Sequence, residues 1–486
     1  MKHIVIVGGG ISGLTAAYEL SLAQRDGAPI RFTLLEASPR LGGIVETEII
    51  ASPGGPFTIE CGPDGWVTEK PWARELAIEL GLGKDLVPSN DAVRRTYLLR
   101  DGDLLPLPDG MRMMVPTSES AILDNPLLND TARQAYLDEP ARAAELRTLA
   151  ANDSSDISVA DFLRRHFGEE VTRTFGRPLL AGIFGGDIDR LSAASVMPGM
   201  IALEKQYGSL ILGLQSQAST TPDLPAPPPA TSIFSSLRSG LGSLTNALAH
   251  SLPADSIRLN EPAISITRDS SDWLVSTKQS QFTADAVILA TPPRAAQSLL
   301  TPIDAELAAL HAIPSSSAVI VALAFSQAFP LPAGFGFLVE QPQPGFDPAF
   351  LATTFLHQKY PHSAPPGTAL LRVFFGGPDF NSSHSPDSAD PSVWPASASL
   401  WIDLAISQLQ QIWPQLPPPV ASLVRHWPHS LPQFEIGHRA RVAAITERAQ
   451  ALPGLVLLGN AYRGVGLPDL IRDARSASRE LLSRIL

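Results

Sequence analysis

The order of apolar and polar positions divides this chain into blocks of distinct period. His3-Ile4-Val5-Ile6-Val7 is a short, nearly continuous apolar run, the pattern of a strand buried on both faces of a parallel sheet. Leu14–Ala23 reads as a helix, and Ile30-Arg31-Phe32-Thr33-Leu34-Leu35 as a second buried strand. From about Pro71 to Gln217 the spacing predicts helices, with the helical period plain over Pro71–Leu82 and Val159–Phe167. Strand patterns return at Ser256–Leu259, Ala263–Ile266, Trp273–Ser276 and Ala286–Ala290, then at Val319–Phe325 and Leu370–Phe375. A strand at Gly454–Gly459 and a helix at Asp469–Arg484 close the chain. Two stretches break the pattern. Thr221–Pro229 is proline-rich and Phe380–Pro395 is polar, and both are predicted to be surface loops.

The first strand and helix are joined by Gly8-Gly9-Gly10-Ile11-Ser12-Gly13, a G-x-G-x-x-G turn. With the second strand this makes a βαβ unit of dinucleotide-binding type. Gly8 permits the tight turn, Gly10 lets a pyrophosphate approach the backbone, and Gly13 lets helix and strand pack closely. The helix N-terminus offers free N–H groups and a partial positive charge to phosphates. Glu36 ends the second strand, where its carboxylate can accept hydrogen bonds from a ribose diol. The same charge repels a 2′-phosphate, which argues against NADP.

Composition narrows the class further. The chain has 486 residues, enough for two or three domains, and 44% are apolar against 17% charged. A net charge of −12 discourages nucleic-acid binding and offers no basic surface to anionic lipid. No apolar run is long enough for a membrane-spanning helix. Met1-Lys2 leads straight into a strand, so no signal peptide is expected. The single cysteine, Cys61, excludes a disulfide framework and a multi-cysteine metal site, and it reads as a buried small side chain. A reducing, cytoplasmic location and no bound metal are expected.

Three further segments suit a buried dinucleotide. Ala37-Ser38-Pro39-Arg40-Leu41-Gly42-Gly43 can wrap an adenylate and pyrophosphate. Ile288-Leu289-Ala290-Thr291-Pro292-Pro293 ends a strand over the same crevice, and Leu458–Pro468 joins a strand to a helix through glycines. A second helix N-terminus there can direct N–H dipoles at an electron-accepting ring. With these segments the chain resembles the flavoprotein family of amine oxidases, phytoene desaturases and protoporphyrinogen oxidases. Within it, several blocks resemble the porphyrinogen oxidases of the soluble bacterial type. They are Glu60-Cys61-Gly62-Pro63-Asp64-Gly65 with Lys70-Pro71, Pro178–Asp187, Tyr207–Ile211, Gly240–Leu244, Trp427-Pro428, Leu431–His438 and Gly464–Asp469.

The resemblance implies an α/β protein with a Rossmann-like FAD-binding domain of p-hydroxybenzoate-hydroxylase-like type, a helical insertion and a mixed-sheet substrate domain. The expected FAD domain is discontinuous, over residues 1–75, 232–300 and 420–486. The helical insertion is expected at 76–215, the proline-rich loop at 216–231 and the substrate domain at 301–419. FAD would meet Gly8, Gly9, Gly10, Ile11, Ser12, Gly13, Leu14, Glu36, Ala37, Arg40, Gly42, Gly43 and the loop Gly62, Pro63, Asp64, Gly65. Ala263 and Ala290 would contribute backbone contacts, and Trp427, Gly459, Val465, Gly466 and Leu467 would lie near the isoalloxazine.

The implied reaction is oxygen-dependent oxidation of a porphyrinogen of the haem pathway to the porphyrin, with hydrogen peroxide released. The substrate would be coproporphyrinogen III or protoporphyrinogen IX. Such a substrate is an apolar disc with carboxylates on its rim and calls for an apolar slot with a few cations. Lys70 matches a basic residue facing a propionate, Gly182 a glycine lining the slot, and Phe355 a candidate stacking face, with core packing its alternative. No side-chain base is expected, and His438 reads as a structural hydrogen-bonding residue. Other readings are an amine oxidase or carotenoid desaturase of the same family, and a non-catalytic porphyrin carrier. A flavin linked covalently to cysteine near the C-terminus is excluded, because Cys61 is the only cysteine.

Overall fold

The computed structural model describes residues 1–123, 125–152, 155–219, 232–269, 272–377, 380 and 397–486. The proline-rich loop at 221–229 and nearly all of the loop expected at 380–395 lie outside these residues. The chain divides into two compact units. The first comprises Met1–Ser89, Ser232–Pro314 and Ala440–Leu486, and the second Asn90–Thr231 and Ser315–Arg439.

The first unit is built on a five-stranded parallel sheet. Its order is Ile257–Arg258, Ile30–Leu35, Lys2–Val7, Ala286–Leu289 and Leu455–Leu457. The continuous apolar runs follow from burial on both faces. Ile4, Ile6, Phe32, Leu34 and Ile288 face a core shared with the helices Ile11–Arg25, Trp72–Glu79, Gly242–His250 and Leu467–Ile485. Val5, Val7, Leu35, Val287 and Leu289 face the other way, onto Ile266, Trp273 and Val275 of a three-stranded antiparallel meander. Trp273 is fully buried, and its indole N–H donates to the Pro453 carbonyl at 3.0 Å.

The second unit holds a seven-stranded mixed sheet. Its order is Ala421–Pro432, Ser315–Phe325, Ala369–Phe375, Phe350–Phe355, Gly336–Val339, Thr96–Arg100 and Asp103–Pro106. Only the Gly336–Val339 and Thr96–Arg100 pair is parallel. One face carries Val319, Val321, Leu323, Leu371, Val373, Phe375, Phe337 and Phe355 and packs on Trp401, Ala405 and Leu409 of the helix Ala398–Ile412. On the opposite face Leu98 and Leu338 join the core of the helical segments between residues 120 and 219. Contacts therefore bind the helical stretch and the mixed sheet into a single unit, and residues 420–439 belong to it through the long pairing with Ser315–Phe325. Residues 76–89 and 301–314 cluster with the first unit.

The expectation of helix throughout 71–217 needs correction. Leu86–Pro88, Thr96–Arg100 and Asp103–Pro106 are strands. The last two form a hairpin around Asp101-Gly102, which both adopt positive φ, 53° and 85°. Asp-Gly is a favoured pair for such two-residue turns, so the signal was present in the sequence. Helix does dominate further on. Val159–Val171 starts at Ser158, whose hydroxyl accepts from the Asp161 N–H at 2.9 Å, and it kinks at Gly168. A turn of π-helix leads into Arg177–Phe184, which ends at Gly185 in the left-handed conformation.

A buried carboxylate ties the hairpin Thr47–Ile50/Phe57–Glu60 to the start of the Gly242 helix. Glu60 is 4% exposed and accepts from the Thr47 hydroxyl and from the Leu241 N–H, both at 2.8 Å. The Thr47 oxygen in turn accepts from the Gly242 N–H at 2.8 Å. Truncating Glu60 strands a buried N–H, so Glu60→Ala is expected to destabilise this unit by about 2–3 kcal/mol. Urea unfolding followed by far-UV circular dichroism measures the loss.

Candidate functional site

In the first unit the turn after Lys2–Val7 is a cradle shaped by close backbone approach. Gly8 has φ +105°, and a Cβ built there would lie 2.3 Å from the Ala290 carbonyl oxygen. A Cβ on Gly13 would lie 1.9 Å from the Gly8 carbonyl oxygen and 3.3 Å from the Ala290 Cβ. Only glycine fits either place. Gly10, by contrast, has open space where a side chain would be. It is the N-cap of the Ile11–Arg25 helix, with extended backbone, no side-chain cap and no acidic residue in the first turn. The backbone of Ile11, Ser12 and Gly13 thus opens a helix N-terminus with uncompensated N–H groups onto that space. Leu14 and Ile11 turn their side chains into the core.

The segment after Glu36 folds back against this turn. Glu36 Oε2 accepts from the Gly9 N–H at 2.7 Å and Oε1 from the Ser38 N–H at 2.8 Å. Each carboxylate oxygen keeps a lone pair for a further donor such as a ribose hydroxyl. Ala37 beside it is exposed. The Gly42 N–H donates to the Gly9 carbonyl at 2.8 Å, and a Cβ on Gly43 would lie 3.2 Å from the Gly10 Cα. Arg40 staples this loop to itself, donating to the carbonyls of Gly43 at 2.5 Å and Leu41 at 3.2 Å and pairing with Glu46 at 3.3 Å. Gly62 opens the loop Gly62-Pro63-Asp64-Gly65, and a Cβ there would lie 1.9 Å from the Ile44 carbonyl oxygen. The Glu261 N–H donates to the Glu36 carbonyl at 2.9 Å, which brings the loop carrying Ala263 to the end of the same strand.

The C-terminal glycine turn joins this set. Gly459 has φ +133°, and a Cβ on it would come within 3.8 Å of the Thr291 carbonyl oxygen, next to Ala290. The Thr291 hydroxyl is buried with no hydrogen-bond partner among the described residues. Gly466 is the N-cap of the Leu467–Ile485 helix, again without a side-chain cap, and Leu467 is buried while Val465 is half-buried. Asp469, in the first turn of that helix, was not among the expected site residues. It is 7% exposed and bridges Lys70 Nζ at 2.5 Å and Arg472 at 3.1 Å. The Arg472 guanidinium lies 4.8 Å over the Trp72 ring. The carboxylate favours the positive end of the helix while holding Lys70 beside it, and Lys70 remains 46% exposed.

Tyr462, in the same turn, is anchored by a buried histidine. His311 Nδ1 faces the Leu307 carbonyl at 2.8 Å and so carries the proton, which leaves Nε2 to accept from the Tyr462 hydroxyl at 3.1 Å. Burial lowers the His311 pKa and raises that of Tyr462, so both stay neutral. A separate groove of about 440 Å³ runs along Leu455–Gly459 between Val442–Gln450 and Asp473–Ile485. Its walls share Gly459 with the expected set and include none of Gly8–Gly13.

The remaining expected residues lie in the second unit. Trp427 is half-buried on Ala421–Pro432, paired with Ala318. Gly182 is exposed on the Arg177–Phe184 helix, and a Cβ there would lie 3.0 Å from Leu338. Phe355 is fully buried on the other face of the sheet, with ring centroids 6.1 Å from both Phe337 and Trp413. Its surroundings make it core, not a stacking wall, because alternation along the strand points it away from the face that carries Leu338. A largely apolar cavity of about 430 Å³ is lined by Arg177, Pro178 and Ala181 of that helix, by Gly186–Ile188, and by Val339, Leu351 and Gly376 of the sheet region. His438 is buried and stacked on Phe434, with centroids 4.1 Å apart and planes within 12°. Among the described residues no group of three His, Cys, Asp or Glu side chains could hold a metal ion.

The first unit fits a dinucleotide flavin on three observations. The cradle at Gly10 is open, the helix N-terminus is uncapped, and the Thr291 hydroxyl is buried without a partner among the described residues. Comparison with known proteins agrees. Residues 11–482 match the family described as flavin containing amine oxidoreductase. The chain is 31% identical to a coproporphyrinogen III oxidase of Bacillus subtilis (strain 168), over 99% of this chain and 98% of the relative. It is 29% identical to human protoporphyrinogen oxidase, over 99% and 98% of the two chains. A solved structure from Exiguobacterium sp. 255-15 is 30% identical, covers 99% of both chains and superposes with a TM-score of 0.82. Cyclohexylamine oxidase from Brevibacterium oxydans IH-35A, 18% identical with a TM-score of 0.69, shares the fold. The chain belongs to the flavin containing amine oxidoreductase family.

Proposed function

We propose that this protein is an FAD-dependent oxidase that converts a porphyrinogen to the porphyrin, with molecular oxygen as final acceptor and hydrogen peroxide as product. The observation that carries the reading is end-to-end similarity to the Bacillus subtilis coproporphyrinogen III oxidase in a chain whose flavin cradle is intact. Coproporphyrinogen III is favoured over protoporphyrinogen IX, since the Bacillus subtilis relative that bears its name matches at 31% identity against 29% for human protoporphyrinogen oxidase. A cytoplasmic enzyme is the accompanying expectation; among the described residues no helix is long and apolar enough to cross a membrane.

Bound FAD supplies a two-electron acceptor, and the six electrons of aromatisation leave over successive turnovers. The chain's own residues bind and orient. Glu36 and the open N-terminus of the Ile11–Arg25 helix would hold the ribose and pyrophosphate. The glycine turn 459–466 and the start of the Leu467–Ile485 helix would offer N–H dipoles to the ring end of the cofactor. Lys70, set by Asp469, offers its ammonium to a carboxylate on the rim of the disc. Gly182, in the second unit, would line the slot for the disc, as the resemblance implies. No side chain is required as a base. His438 is occupied by stacking, and His311 by Leu307 and Tyr462.

A porphyrin carrier of the same fold would give no turnover. Mixing aerated holoprotein with coproporphyrinogen III and, separately, protoporphyrinogen IX should produce porphyrin fluorescence well above autoxidation, faster with the former. Growth no faster than autoxidation with both substrates refutes the enzyme. Glu36→Ala should lower FAD retention, read as the flavin-to-protein absorbance ratio after gel filtration. A full complement of flavin counts against the ribose contact. Lys70→Ala should raise KM about fivefold to tenfold while kcat changes little, because a rim contact persists through the reaction. An unchanged KM removes Lys70 from the site.

A further inference from the structure

The block Leu431–His438, singled out in the sequence, leaves one strong polar feature that the reaction does not use. Gln433 is buried, 8% exposed, and its amide lies against the end of the helix Arg177–Phe184. Its Nε2 is 2.9 Å from the Phe184 carbonyl oxygen, 2.9 Å from Ser316 Oγ and 2.8 Å from the Leu431 carbonyl oxygen. Two of these neighbours are carbonyls, so the nitrogen end must face them. Phe184 is the last residue of its helix, and its carbonyl is one of those left without an intrahelical donor. Gln433 supplies that donor. Its other end faces Gly186, where a Cβ would lie 1.8 Å from Oε1 and 3.3 Å from Leu191. No positive φ is required of Gly186, so the Gln433 amide is the chief obstacle to a side chain there.

The helix so held carries Gly182 on the Leu338 side, while its Arg177, Pro178 and Ala181 line the apolar cavity together with Gly186. We propose that Gln433 is a positioning residue for the porphyrinogen. It does not touch the substrate; it sets where the Arg177–Phe184 helix ends, and with it the placement of Gly182 on that helix. Gly186 is its counterpart, a position kept bare so that the amide can seat. This inference rests on the reading given under Proposed function for what Gly182 lines.

The test is a double-mutant cycle on FAD-loaded enzyme with coproporphyrinogen III, using Gln433→Ala, Gly186→Ala and both together. Gln433→Ala removes the donor, and Gly186→Ala pushes it aside. Each should raise KM about fivefold to tenfold with kcat within about twofold of the parent. Amide hydrogen exchange over residues 177–188 should speed up about tenfold, while flavin content and exchange in the nucleotide-binding unit stay unchanged. In the double variant the collision is gone, so its KM should be no higher than that of Gln433→Ala alone. A KM within twofold of the parent for Gln433→Ala overturns the proposal. So do multiplicative effects in the double variant, or exchange that rises equally throughout the chain. Should Gln433→Ala fail to fold, Gly186→Ala decides alone, and an unchanged KM there is equally fatal. If the parent protein oxidises no porphyrinogen, the functional reading fails; the exchange comparison needs no substrate and still decides whether Gln433 holds the helix end.

Discussion

The contact between the backbones of Gly8 and Gly13 is the constraint on which the nucleotide-binding unit depends. A methyl group at either position would sit inside a neighbouring carbonyl, that of Ala290 or of Gly8 itself. Removing those methyls lets the first helix close onto the sheet and leaves its N-terminus bare above Gly10. The anion site is thus a by-product of packing: the approach that buries Leu14 and Ile6 also leaves the N–H groups unsatisfied. The second strand ends in a carboxylate that two backbone N–H groups hold in place before any ligand arrives. Preorganisation of this kind lowers the ordering cost of binding.

Carboxylates and amides recur in the same role elsewhere. Glu60 fastens a hairpin to the Gly242 helix, Asp469 holds Lys70 at the start of the Leu467 helix, and Asp156 joins the Ser192 hydroxyl at 2.7 Å to the Gly437 N–H at 2.8 Å. In each case a polar group meets a helix start or a turn, where backbone groups lack partners. Gln433 extends the rule to a helix end.

Much of the first unit was legible from period and spacing. The strands at residue 3, residue 30, residue 286 and residue 455 are apolar on both faces because both faces are covered, and that leaves a continuous signal. The hairpin at 96–106 is marked in the sequence by Asp101-Gly102 alone, within a stretch whose flanking spacing is helical. Phe355 shows a different limit. Its aromatic character suited a stacking role, but strand register turns it into the core and leaves Leu338 on the opposite face.

The sequence alone determined what repeats locally: the βαβ unit, the glycines that must stay bare, the acid that ends the second strand and the class of cofactor these suit. Tertiary structure alone decided which distant residues meet. Lys70 with Asp469, Gln433 with Phe184 and Gly186, and His311 with Tyr462 are each separated by more than a hundred positions. Local pattern reports how a segment buries its own apolar face. A hydrogen-bond donor finds its acceptor only once the chain has closed, and no period along the sequence encodes that distance.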